Sequence, residues 1–172
     1  MINTHTKGKN IRIMIWGAIW LGGRSNIKVM ARDPEAPKGG YSSNSYIAVL
    51  EDQLPRCFHP GMIFMQDNAG IHTAKKVKKW FEDQGIPLFS WPPYSPDMNP
   101  IEIVWAWLKQ WIEEHYPGLK TMGVAAEDYE ALYHAIEEGW EAIEQDKIDA
   151  LIKSMDHRVE ALRLAKGWHT KY

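Results

Sequence analysis

The alternation of apolar and polar positions divides the chain into segments of different period. From Ile11 to Trp20 the residues are almost all Ile, Met or Trp, with Arg12 near the start and Gly17 inside, which predicts a strand covered on both faces. Gly22-Gly23 then supplies a turn and Asn26 to Ala31 a second strand, so residues 11 to 31 read as a hairpin-like pair. After Pro- and Gly-rich loop material from Asp33 to Gly40, Tyr46, Ile47, Leu50 and Leu54 recur at helical spacing and predict a helix from about Ser43 to Leu54. Met62-Ile63-Phe64-Met65 is short, bulky and unbroken, as a strand buried on both faces should be, and Asp67-Asn68-Ala69-Gly70 follows with turn residues. Ala74, Val77, Trp80 and Phe81 form one face of a helix over Thr73 to Gln84, Gly85 stops it, and Ile86 to Phe89 reads as another strand. Strand, helix and strand make a βαβ unit, expected to be right-handed.

Beyond this unit the period is helical. Val104, Trp105, Leu108 and Ile112 follow Asn99 as N-cap and Pro100 as first helical residue. Tyr129, Leu132, Tyr133, Ile136, Trp140 and Ile143 form a stripe read as core-facing. Ile148, Leu151, Ile152, Met155, Val159 and Leu162 repeat it after a break near Gln145-Asp146. The acidic run from Glu127 to Glu144 reads as a solvated face that would repel a phosphate backbone.

Composition narrows the classes. A length of 172 residues suits one domain, read as residues 11 to 172 behind a loose leader of residues 1 to 10. The formal charge of −2 gives no strongly basic nucleic-acid footprint, so any DNA contact must come from local patches. A single cysteine, Cys57, excludes an internal disulfide and suits a reducing compartment. No apolar run approaches the roughly 20 residues that cross a bilayer, and the polar start lacks a signal peptide's apolar core. The expectation is a nuclear or otherwise intracellular protein without a membrane partner.

Two acids stand out. Asp67 closes an apolar run, where open α/β sheets collect ligands at strand ends. Glu102 is the third residue of a helix, and by local pattern it reads equally as a capping box reaching back to Asn99. The run Trp91-Pro92-Pro93-Tyr94-Ser95-Pro96-Asp97-Met98-Asn99-Pro100-Ile101-Glu102, followed by Trp105 and Leu108-Lys109, closely resembles the signature of mariner-type DDE transposases, and Asp67-Asn68 with His72 resembles the earlier part of it. The spacing agrees as well, with 34 residues, 68 to 101, between the two acids. Looser likeness extends from Trp16-Gly17 to the ending Gly167 to Tyr172.

The resemblance implies an α/β fold with a ribonuclease H-like core and a helical C-terminal part. It implies a DDE endonuclease reaction, metal-dependent DNA cleavage and strand transfer in transposition and integration. Asp67 and Glu102 would then be catalytic residues and ligands for Mg²⁺ or Mn²⁺, hard ions that prefer carboxylate oxygen. Asn68 could orient Asp67 or serve the turn. His72 could act beside it or be structural, and Lys109, like Lys75, Lys76, Lys78 and Lys79, could track phosphates or simply be solvated.

The chain departs from the family pattern in three places. The family's first catalytic aspartate lies on a strand before the one matching Ile11 to Trp20, and residues 1 to 10 contain no Asp or Glu. The core is therefore expected to lack its first strand, as a remnant or fragment that binds metal weakly and does not cleave DNA alone. The exposed sheet edge left behind offers a route to self-association. The family's helix-turn-helix modules have no counterpart, so DNA binding without sequence specificity is expected. The alternative is a non-enzymatic DNA-associated or interaction protein that retains only the scaffold.

Overall fold

A computed structural model describes residues 2–3, 12–89, 99–121 and 125–164. The motif run over 91–98, most of the leader and the ending over 167–172 lie outside the described residues. In chain order the elements are β1 (Ile2–Asn3), β2 (Arg12–Ile13), β3 (Ile15–Trp16), β4 (Ile19–Trp20), β5 (Gly23–Arg24), β6 (Lys28–Val29), α1 (Ser43–Cys57), α2 (Gly70–Thr73), α3 (Lys75–Asp83), α4 (Pro100–His115), α5 (Ala126–Ala142), α6 (Gln145–Lys153) and α7 (Met155–Leu164). They group into two compact units, the first taking its described residues from 2–3, 12–17 and 25–89, the second from 18–24, 99–121 and 125–164. None of the described helices is long and apolar enough to cross a membrane.

In the first unit β3 pairs antiparallel with β6, Ile15 opposite Val29 and Trp16 opposite Lys28. Within the leader expected to be loose, β1 pairs antiparallel with β2. The strand predicted over Ile11 to Trp20 is not one doubly covered element. It breaks into β2, β3 and β4, with Ile13 and Trp16 buried and Met14 and Ile15 only half-buried. Apolar continuity reports residue type, and whether a second layer covers it depends on partners elsewhere.

Helix α1 starts where Ser42 accepts the Asn44 N–H at 3.0 Å and Ser45 Oγ accepts the Ser42 N–H at 3.4 Å. Buried Asp33 anchors that start by accepting from the Ser42 hydroxyl and from Asn44 Nδ2. The helix runs past the predicted stop at Leu54 to Cys57. Pro55 is exposed and costs one ladder bond, while the Phe58 N–H still reaches the Leu54 carbonyl at 2.8 Å. Tyr46, Leu50 and Leu54 of α1 and Val77 and Phe81 of α3 are almost wholly buried and form the centre of this unit.

The predicted βαβ unit is reduced to a parallel bridge between Phe64 and Leu88, in which the Phe64 N–H donates to Pro87 and the Phe89 N–H to Phe64, both at 2.8 Å. The Phe64 ring lies 5.1 Å from that of Phe81, which fixes the segment against α3. Met62 to Met65 is nevertheless not buried on both faces, since Ile63 is 62 % exposed. The helix predicted from Thr73 is interrupted at Ala74, whose extended backbone separates α2 from α3.

In the second unit β4 and β5 form a hairpin whose turn places Gly22 at φ 82°, a conformation suited to glycine. The Gly22 N–H donates to Asp149 of α6 at 2.9 Å. Arg24 donates to the carbonyls of Ile143 at 2.5 Å and Glu141 at 3.1 Å, satisfying acceptors at the end of α5. Helix α4 buries Val104, Leu108 and Ile112 as its spacing predicts. It meets α5 through stacked Trp105 and Trp140, 5.2 Å apart, and at Gly139, where an added Cβ would lie 2.7 Å from both Leu108 and Trp111. The predicted stripe on α5 is too wide, because Tyr129 and Tyr133 are exposed and the buried line is Leu132, Ala135, Ile136, Gly139 and Trp140. On α7, Val159 is likewise exposed.

Candidate active site

Asp67 stands just beyond the Phe64 bridge, at the start of a turn its own side chain closes. Its Oδ1 accepts the Ala69 N–H at 3.0 Å, which is why an aspartate suits this position. The same oxygen lies 2.5 Å from His72 Nδ1 on α2. An ionised carboxylate has no proton to give, so His72 Nδ1 carries the hydrogen. The His72 hydrogen bond holds the Asp67 carboxyl below its ordinary range, with the Ala69 N–H adding to it and partial burial opposing it. The Asp67 side chain is 45 % exposed, so this anion is both fixed and open to solvent. Asn68 is exposed in the same turn.

A polar network stands behind this pair, and the sequence reading missed it. The Tyr46 hydroxyl, buried in α1, donates to Gln66 Oε1 at 2.6 Å, and Gln66 Nε2 donates to the His72 carbonyl at 3.3 Å. The ring of Tyr46 lies 4.3 Å from that of His72. Burial, and then the negative charge of Asp67, push the Tyr46 phenol up. Two signals were present in the sequence. Tyr46 fits the helical stripe as one more apolar position, although a buried tyrosine needs a partner for its hydroxyl, and Gln66 is the polar residue beside the acid.

Glu102 lies in the first turn of α4, exposed, with Asn99 as N-cap and Pro100 at N1 as predicted. The capping-box account does not describe it, since no side-chain hydrogen bond caps α4. A carboxylate here is favoured by the helix N-terminus. Lys109 is exposed on the same helix, seven residues or about two turns further on. Asp67 with His72 belongs to the first unit, and Glu102 with Lys109 to the second. Among the described residues no three or more His, Cys, Asp or Glu side chains group to hold a metal. Asp67 and Glu102, each in its own unit, offer hard anionic oxygens of the kind that Mg²⁺ or Mn²⁺ takes.

The fold is ribonuclease H-like. The chain superposes on the Mos1 transposase catalytic domain solved with raltegravir and manganese with a TM-score of 0.64 at 18 % identity, covering 91 % of this chain and 84 % of that one. The crystal structure of the Mos1 mariner transposase catalytic domain matches with a TM-score of 0.60 at 16 % identity, over 92 % of this chain and 82 % of that one. The family model for DDE superfamily endonuclease matches residues 8–122. The Tcb2 transposase of Caenorhabditis briggsae is 34 % identical over 132 residues, 72 % of this chain and 45 % of that protein. The Tc1 transposase of Caenorhabditis elegans is 37 % identical over 112 residues, 65 % of this chain and 38 % of that protein. The chain belongs to the DDE superfamily endonucleases, as a catalytic domain of the Tc1/mariner transposase type. It spans less than half the length of these curated relatives.

Proposed function

We propose that the domain is built for metal-dependent phosphodiester cleavage and strand transfer in DNA transposition, with Asp67 and Glu102 as metal ligands. The observation that carries this is the Asp67 carboxylate, kept ionised by His72 and the Ala69 N–H and half exposed, in the stretch that matches the family. Divalent ions, when bound, activate the attacking hydroxyl and stabilise charge on the leaving oxygen of a phosphodiester. Asp67 and Glu102 supply the anionic oxygens that bind such ions. His72 holds Asp67 in one rotamer, Asn68 serves the turn that presents it, and Lys109 meets phosphate on DNA. The partner is DNA inside the cell, and the nucleus is the expected compartment.

Asp67 and Glu102 are the two ligands proposed in this chain, and among the described residues no group of three His, Cys, Asp or Glu side chains is present to hold an ion. The chain then binds Mg²⁺ or Mn²⁺ weakly and does not cut DNA alone. The exposed sheet edge expected beside Ile11 to Trp20 is also proposed as a route to self-association. Supercoiled plasmid incubated with this chain and Mn²⁺ should stay intact. Nicking that Asp67→Asn abolishes would establish activity and refute the two-ligand reading. A second reading, a DNA-associated scaffold without catalysis, is favoured by the lack of a metal-holding group among the described residues. It predicts DNA retention in a gel shift that is indifferent to Mn²⁺ and to Asp67→Asn.

A further inference from the structure

The hydrogen bonds behind Asp67 have a determined direction. A carbonyl oxygen can only accept, so Gln66 Nε2 donates to the His72 carbonyl and Gln66 Oε1 is left to accept the Tyr46 hydrogen. The Gln66 amide thus joins the Tyr46 hydroxyl to the backbone of His72. Tyr46 therefore holds His72 by two routes, its ring against the imidazole at 4.3 Å and its hydroxyl through Gln66 to the backbone. His72 in turn holds Asp67 at 2.5 Å. Tyr46 is 2 % exposed and sits within α1, so the whole relay is anchored in the packed centre of the first unit, where a side chain has little freedom.

We propose, on the reading of Asp67 as a metal ligand, that Tyr46 and Gln66 are positioning residues which set the Asp67 carboxylate for a divalent cation by fixing both the ring and the backbone of His72. Partners of metal ligands govern affinity in this way because they remove the freedom the ligand would lose on binding. The geometry also explains why a tyrosine occupies a fully buried position in α1, where a phenylalanine would pack equally well.

The test uses Mn²⁺ alone as probe and the whole chain, labelled with ¹⁵N. Paramagnetic broadening of the Ala69 amide, whose N–H donates to Asp67, reports the ion at that carboxylate even when affinity is weak. Tyr46→Phe keeps the ring and removes the hydroxyl, while Gln66→Ala cuts the relay at a half-buried position with little change in the core. Val49→Ala, also a buried substitution in α1 but outside the relay, controls for lost stability. Both relay variants should raise the Mn²⁺ midpoint about tenfold, and Val49→Ala should leave it in place. Midpoints unchanged in Gln66→Ala and Tyr46→Phe, or raised equally by Val49→Ala, would overturn the positioning role while leaving Asp67 a ligand. If the wild-type Ala69 amide does not broaden at all, both readings fall together. Should Tyr46→Phe not fold, Gln66→Ala decides alone.

Discussion

Replacing Asp67 by Asn keeps the shape of the side chain and removes its charge. The hydrogen bonds to Ala69 and His72 can still form, so the loss is the difference between charge-assisted and neutral bonds, about 1 kcal/mol for a buried pair. The side chain is 45 % exposed, and solvent screening reduces the expected loss to about 0.5–1 kcal/mol at neutral pH. The sign with pH follows from the depressed Asp67 pKa. The extra stability is present above the unfolded carboxylate value near 3.9, and it disappears as pH falls through the lower folded value. The gap between wild type and Asp67→Asn should therefore close in acid. Metal adds a second difference, since free Mn²⁺ at about ten times Kd stabilises a binder by about 1.4 kcal/mol and should not help the variant. Urea unfolding followed by tryptophan fluorescence at pH 7, 5 and 3, with and without Mn²⁺, measures all of this. Equal stabilities at pH 7, or a gap that persists unchanged at pH 3, would show that His72 does not hold an ionised Asp67.

Two further substitutions test the fold on which the site stands. Gly139→Ala gains up to about 1 kcal/mol of helix propensity but drives a methyl to 2.7 Å from Leu108 and Trp111, an overpacking that costs about 1–3 kcal/mol, so a lower melting temperature is expected and a higher one would contradict the α4–α5 packing. Ile63→Glu, at a 62 % exposed apolar position, tests the proposed self-association: sedimentation velocity should shift toward monomer, and unchanged sedimentation would exclude Ile63 from the contact.

Much of the helical architecture was legible because a helix is a local object. Val104, Leu108 and Ile112 repeat at a period that points them one way whatever surrounds them, and α4 begins at the predicted Pro100. The strands were less legible. Runs such as Met62 to Met65 state which residues avoid water, while the partners that would cover them are distant in sequence, and Ile63 ends up facing solvent. Tyr129 and Tyr133 fit a helical stripe by spacing, yet they sit at its edge, where an amphipathic ring can face water. Asp67 was legible from its place after an apolar run and from its neighbours in the motif. The hydrogen bonds that link its partner His72 to Gln66 and Tyr46 were not, because they join α1 to a turn 20 residues away through side chains whose directions no spacing rule supplies.

The proposed function makes Asp67 and Glu102 each a metal ligand. Calorimetric titration of Mn²⁺ into the wild-type chain, Asp67→Asn and Glu102→Gln tests it directly. Weak binding that is lost or reduced at least tenfold in each single variant is the predicted result, because either carboxylate alone leaves the ion mostly to water. Wild-type affinity retained in Glu102→Gln would contradict the claim and leave Glu102 as an exposed acid in the first turn of α4.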